Sequence, residues 1–384
     1  MTDHRAKEKP PAPRLERREF IKKAGVTTAI AATGVAASTF PKPSLSQGLM
    51  KWRMQTTWPK NFPGLGTGAN TLGEFITKAS EGRITVEVYG AGEIIPAFET
   101  MDAVASGTIE MGHGAPYYWK GKVPASQFIA AVPFGLNVAE QNAWLQFAGG
   151  QELADKVYKE LGCKFFASGN TGVQMGGWFN KEIHSLEDYK GLKMRIPGLG
   201  GEVVKAAGGN VVNLPGGEIG PALASGAIDS TEWVGPYNDL AFGLYKNAKY
   251  YYYPGWHEPA TLLDNFVNLK TWESLSGDLQ AIITAANGYT NLAVLSEFNA
   301  NNNASLNTLV TKHSVILKKF PDEVLDGLGG LSGKVMGDLA GADPLSREVL
   351  SSIAAFRKQA IPYAKVSEQA FYNARSLPFK WIDL

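Results

Sequence analysis

The stretch Lys190-Gly191-Leu192-Lys193-Met194-Arg195-Ile196-Pro197-Gly198 decides how the rest of the chain is read. Residues 193–196 form a short predicted strand, opened after Gly191 and broken by the Pro197-Gly198 turn. An arginine at the end of a strand, just before a turn, lies where the ligand clefts of α/β sheets form. Guanidinium presents a planar fork of donors matched to a carboxylate, and it stays charged at any relevant pH. From this stretch alone Arg195 reads equally as a ligand contact or as half of a structural ion pair.

Working outward, helix and strand alternate. Residues 52–56 form a first strand, 59–68 a Pro/Gly loop, and Ala69, Leu72, Phe75, Ile76 and Ala79 recur at helical spacing until Gly82. Ile84, Val86 and Val88 alternate as a strand, and a helix at 98–105 leads to a strand at 108–112. This order predicts an α/β fold with a largely parallel sheet. The phrasing then repeats. Gly92-Glu93-Ile94-Ile95-Pro96-Ala97 is echoed by Gly217-Glu218-Ile219-Gly220-Pro221-Ala222, and Ala105-Ser106-Gly107-Thr108-Ile109-Glu110 by Ala224-Ser225-Gly226-Ala227-Ile228-Asp229. Each pair reads as a proline opening a helix and a glycine cap feeding a strand. Two lobes of like construction are therefore expected, with a cleft between them. A crossover at 165–180 carries Gln174 in its middle, and the chain returns at about 259–269. Residues 272–317 hold no proline and predict one very long helix, or two bent at Gly288. Pro344 opens a last helical region that Pro362 should kink.

Composition bounds the class. Of 384 residues, 44% are hydrophobic and 19% charged, and the 43 glycines and 21 prolines suit the many short loops of an α/β protein. A formal net charge of +1 gives no polybasic surface for nucleic acid. Residues 1–23 hold eight Lys/Arg against four Asp/Glu, leaving 29 basic and 32 acidic residues in the remainder. This basic arm contains Arg17-Arg18-Glu19-Phe20-Ile21-Lys22-Lys23 and precedes a mild apolar run at 24–37, too short to span a bilayer. Paired arginines before a weak hydrophobic segment resemble a twin-arginine export signal, with Glu16 standing where Ser or Thr is usual. Cleavage is expected within 35–47. The single cysteine, Cys163, precedes Phe165-Phe166 and reads as a buried, inert thiol.

Catalytic signatures are weak. Five histidines are scattered without zinc-ligand spacing, and no Gly-x-Ser-x-Gly elbow occurs. Gly198-Leu199-Gly200-Gly201 faintly suggests a dinucleotide turn, but Val203 occupies the third glycine position. An exported cofactor-binding oxidoreductase or lyase is the alternative this supports. A more coherent set is Gln174, Arg195, Glu232, Trp233 and Glu258, each at a strand or crossover edge. Neutral and charged oxygens without thiolate or imidazole select a hard cation such as sodium or calcium. Such an ion can be chelated by a carboxylate oxygen and an adjacent keto or hydroxyl oxygen while Arg195 holds the carboxylate. Counting an ionised ligand, Arg195 and both glutamates gives −2 before the metal, which leans towards calcium and leaves sodium open. Tyr117 and Tyr118, beside Trp119 after the first lobe's Gly112–Gly114 strand end, read either as a cap on the ligand or as packing. Trp256 and the Tyr250–Tyr253 run read as core or cleft wall.

Gly169-Asn170-Thr171-Gly172-Val173-Gln174-Met175-Gly176-Gly177-Trp178-Phe179, then Met194-Arg195-Ile196, then Asp229-Ser230-Thr231-Glu232-Trp233-Val234-Gly235-Pro236-Tyr237, then Tyr250 to Trp256 resemble the DctP-type solute receptors of TRAP transporters. The branch most similar binds 2-oxo acids or lactate with a metal ion. The resemblance spans from about residue 51 to at least 299. It implies a non-catalytic periplasmic receptor with a two-lobed periplasmic binding protein fold, crossover hinge strands and a long helix spanning both lobes. It also implies Arg195 on the ligand carboxylate and Gln174 on ligand and cation. Glu232, the Trp233 carbonyl and Glu258 would complete the cation shell. The expected organisation is a leader at 1–47, a first lobe of 48–172 with about 260–285, a second of 173–259 with about 286–345, and a helical tail at 346–384. The implied partners are a small monocarboxylate, separate membrane permease subunits and a second copy of the chain.

Overall fold

The structure, a computed structural model, describes residues 48–382, so the leader and its export motif lie outside the described residues. The strands in chain order are β1 (Met50–Thr56), β2 (Ile84–Tyr89), β3 (Met111–Gly114), β4 (Cys163–Asn170), β5 (Gly177–Phe179), β6 (Lys193–Arg195), β7 (Asn210–Val212), β8 (Ser230–Thr231), β9 (Tyr250–Tyr253), β10 (Leu262–Asn268) and β11 (Ile316–Lys319). They form two sheets, ordered β2-β1-β3-β10-β4 and β11-β9-β5-β8-β6-β7.

The two sheets repeat one plan. In the first, β1 lies between parallel β2 and β3, and antiparallel β10 follows β3. In the second, β6 lies between parallel β7 and β8, and antiparallel β5 follows β8. The echoed glycines hold equivalent places: Gly107 follows the helix Thr100–Ala105 at φ 76°, and Gly226 follows the helix Gly216–Ala224 at φ 73°. Both φ values lie in the left-handed region that glycine enters without penalty. The echoed prolines differ. Pro96 precedes a 3₁₀ turn at Ala97–Glu99, whereas Pro221 lies inside its helix rather than opening it. The third strand begins at Met111 rather than 108, because the Glu110 carboxylate accepts the Arg53 backbone N–H at 2.8 Å.

Two short segments join the sheets and run side by side: 171–176, from β4 to β5, and 254–261, from β9 to β10. The Thr171 N–H donates to the Thr261 carbonyl (3.1 Å), the Gln174 N–H to the Glu258 carbonyl (3.1 Å) and the Gly255 N–H to the Gln174 carbonyl (2.9 Å). The predicted crossover strand is thus two strands separated by a six-residue link, with Gln174 in the link.

A single helix, Gly277–His313, runs through Gly288 without a break for about 55 Å. Near its start, Leu279, Ile283 and Ala286 pack with Trp52, Met54 and Phe166; further on, Val294, Phe298 and Leu309 pack with Trp58, Trp233 and Tyr251. Sequence periodicity missed the helices Val138–Phe147, Gly150–Glu160 and Asp322–Ala342. The last main helix, Pro344–Val366, starts with Pro344 in its first turn and Asp343 accepting from the Ser346 N–H at 2.7 Å. It continues through Pro362, and Leu345, Val349 and Ile353 in its first half are core residues beside Trp144. The following helix, Glu368–Arg375, buries no residue.

Buried Asp264 on β10 accepts from the Trp119 indole N–H at 2.8 Å and from the Tyr158 hydroxyl. Burial nevertheless pushes its carboxyl up from 3.8 to about 6. A folded-state pKa above the unfolded value means the fold binds the extra proton between those two values, so stability falls as pH rises across that window. Relative to Asp264→Asn, which stays neutral, the wild-type protein should lose roughly 3 kcal/mol of unfolding free energy between about pH 3 and pH 7. Urea denaturation of both proteins at several pH values measures the difference.

Candidate ligand and cation site

Strand register brings the central pair together. Arg195, the last residue of β6, is paired with Thr231 of β8, so Glu232 follows directly beside it. The Glu232 N–H donates to the Arg195 carbonyl at 3.2 Å. Arg195 and Glu232 are each 1% exposed, and Nη1 of Arg195 lies 2.5 Å from Oε1 of Glu232. Nε donates to the Leu214 carbonyl at 3.1 Å. The full guanidinium fork expected for a ligand is therefore partly used within the protein, and the buried Nη2 is the arm left without a hydrogen-bond partner. Of the two readings of Arg195, ion pair and ligand contact, its geometry accommodates both.

The linking segments bring up the other residues. The Gln174 side-chain nitrogen donates to Glu258 (2.8 Å) and to Thr261 (3.0 Å), which leaves its buried carbonyl oxygen without a partner. The hydroxyl of Thr261 donates to the same Glu258 oxygen. The Trp233 ring lies 5.2 Å from the guanidinium carbon of Arg195. Tyr117 is buried and Tyr118 partly so, on the 3₁₀ turn Pro116–Trp119, and both feel the charges of Arg195, Glu232 and Glu258. Gln174, Tyr117, Tyr118 and Trp233, with Trp58 and Thr171, line a small cavity of about 10 Å³. That is roughly the space of one water molecule. All seven sequence-selected residues thus gather in one buried place.

His257 was not selected from the sequence. Its Nε2 lies 3.4 Å from Oε2 of Glu232, and donor atoms of Glu232, His257 and Glu258 fall within 4.8 Å of one another. Burial lowers His257 to about 4, so the ring is neutral. Burial raises Glu258 to about 8, with the Glu232 charge adding to the effect, and raises Glu232 to about 7 against the pull of Arg195. Buried carboxyls this close together favour the acid form, and a cation among them would favour the carboxylates. The oxygen donors and the free Gln174 carbonyl fit a hard ion. The only sequence signal for His257 was its place beside Glu258.

The faint dinucleotide turn is filled by protein. A side chain at Gly198 (φ +58°) would meet the Tyr117 ring at 3.1 Å, and one at Gly200 would meet His257 at 2.8 Å. Cys163 is buried and its thiol is pushed up to about 12, as an inert core cysteine should be.

A family profile described as bacterial extracellular solute-binding protein, family 7 (DctP), matches residues 54–327. The chain is 41% identical over 364 residues to the monocarboxylate 2-oxoacid-binding periplasmic protein of Nostoc sp., covering 94% of this chain and 99% of that protein. A TRAP periplasmic solute-binding protein from Pseudoalteromonas atlantica with bound sodium and pyruvate superposes with a TM-score of 0.82 at 39% identity, covering 86% of this chain and 99% of that one. Another, a dimer from Bordetella bronchiseptica with copurified calcium and picolinate, gives 0.84 at 35% identity, covering 85% and 97%. With its paired sheets, linking segments and long helix, the chain belongs to the DctP family of TRAP transporter solute-binding proteins, which bind solutes and catalyse no reaction.

Proposed function

We propose that this protein is a periplasmic receptor that captures a small 2-oxo or 2-hydroxy monocarboxylate together with sodium or calcium and delivers it to a separate TRAP permease. The observation that carries this reading is the pair of buried, unpartnered polar atoms in the acidic cluster: Nη2 of Arg195 and Oε1 of Gln174. The first offers a positive donor to a carboxylate, and the second a neutral oxygen to a cation. Glu232, the Trp233 carbonyl and Glu258 supply the remaining cation ligands, and Tyr117 and Tyr118 close over the acid. Pyruvate and picolinate, bound by the two relatives, each carry a second donor atom adjacent to a carboxylate. Both can close a five-membered chelate on an ion, which supports recognition of that shared chemistry.

The lobes proposed to close on the ligand are 48–172 with about 260–285, and 173–259 with about 286–345, hinged where 171–176 and 254–261 run together. Export by the twin-arginine route, through Arg17-Arg18, would deliver the receptor already folded. None of the described helices is long and apolar enough to cross a membrane. A homodimer joined through the C-terminal helices accounts for the exposure of Tyr363 and Val366 (70% and 75%) and of Phe371 and Trp381. The Bordetella relative is a dimer.

Pyruvate at about 100 times its Kd, added with calcium or sodium, should raise the melting temperature by roughly 5 °C, and neither component alone should do so fully. Absence of a shift with pyruvate, lactate or any short 2-oxo acid would overturn the reading. Arg195→Lys should weaken acid binding by about 10- to 100-fold in calorimetry, the equivalent of losing a charged hydrogen bond of ~1.5–3 kcal/mol. Light scattering should report a dimer mass, and removal of 367–384 should leave monomer.

A further inference from the structure

One buried carboxylate outside the proposed ligand set collects donors from three different elements. Asp239, in the first turn of the helix Pro236–Phe242, is 1% exposed. Its Oδ2 accepts from the Trp178 indole N–H of β5 at 2.9 Å and from the Tyr251 hydroxyl of β9 at 2.7 Å. Its Oδ1 accepts from the backbone N–H of Val234 at 3.3 Å. That N–H and the Trp233 carbonyl are opposite edges of one planar trans peptide unit, so fixing one fixes the direction of the other. The next carbonyl, of Val234, accepts from the Met175 N–H at 3.0 Å, which pins the segment to the Gln174 link. Among the described residues the Trp233 carbonyl oxygen accepts no hydrogen bond, and it is free to meet a ligand.

We propose that Asp239 is a positioning residue that aims the Trp233 carbonyl oxygen at the cation. This rests on the reading above, in which that oxygen belongs to the cation shell. The chemistry requires a carboxylate. Trp178 and Val234 present N–H groups, which cannot accept, to its two different oxygens. An amide in the same place has one oxygen and one NH₂, so one of those N–H groups must face a nitrogen. Trp178 and Tyr251 share Oδ2 and keep the amide oxygen between them, and the peptide of Trp233 and Val234 is the one released.

Trp233-Val234 is the sole Trp-Val pair in the sequence. Labelling tryptophan with ¹³C at the carbonyl and valine with ¹⁵N therefore gives a single HNCO signal from this peptide. In the wild-type protein saturated with pyruvate, titration with calcium or sodium should move that signal in its carbon dimension. In Asp239→Asn the amide proton should shift upfield, and the half-saturating cation concentration should rise by about 10- to 100-fold. Tyr251→Phe removes a donor to the same carboxylate but leaves the Val234 bond. It should lower the melting temperature while the half-saturating cation concentration stays at the wild-type value.

An Asp239→Asn protein that titrates as wild type would overturn the proposal, as would a Tyr251→Phe protein that loses as much cation affinity. Should Asp239→Asn not fold, the wild-type titration decides: a Trp233 carbonyl signal unmoved by the cation removes the proposal. If the cation and pyruvate do not protect the wild-type protein from heat at all, it is the receptor reading that has failed, and the two failures are distinct.

Discussion

A guanidinium and a carboxylate sealed together at the ends of two neighbouring strands organise this molecule. Removing both Arg195 and Glu232 from water costs more than their mutual attraction returns unless further hydrogen bonds are made. The fold provides those bonds through the Leu214 carbonyl and the Glu232 backbone carbonyl. What is left over, one guanidinium nitrogen, is held in a fixed direction by the other two. A lone arginine on a surface would present the same atom with far more freedom. The ion pair therefore holds a flexible side chain in one direction, and Glu258 and His257 lie with Glu232 in the same buried cluster.

Much of this was readable in the sequence because short-range signals carried it. The Arg195 strand and its Pro-Gly stop, the alternation at Ile84, Val86 and Val88, and the twin phrases around Gly107 and Gly226 all depend on neighbours a few residues apart. The oxygen-rich set was readable by residue type. What it could not reveal were pairings across long separations: Glu232 with His257, Trp119 with Asp264, and Trp178 with Asp239. The use of the Arg195 fork within the protein was hidden for the same reason. Strands as short as Ser230–Thr231 carry no periodicity of their own and exist because β5 and β6 flank them. The helix Val138–Phe147 was overlooked despite a legible signal, since Asn137 and Glu140 form a capping box.

The repeated strand plan extends to the polar interior. Each sheet keeps one buried aspartate that accepts from an indole N–H and a tyrosine hydroxyl: Asp264 with Trp119 and Tyr158, and Asp239 with Trp178 and Tyr251. In each case the tie reaches a segment that borders the cavity. Trp119 closes the turn bearing Tyr117 and Tyr118, while Asp239 grips the residue after Trp233. Buried hydrogen-bonded networks rigidify what they touch, and here they stiffen segments on both sides of the cavity.

The long helix Gly277–His313 has a consequence for how the molecule comes apart. Because its early turns belong to one hydrophobic cluster and its later turns to another, neither half of the chain owns all the side chains it needs. The linking segments add to this by carrying the backbone from one sheet to the other and back. Cutting the gene anywhere between the lobes would leave two fragments with incomplete interiors. The two hydrophobic clusters thus share a single spar, and the integrity of each depends on it.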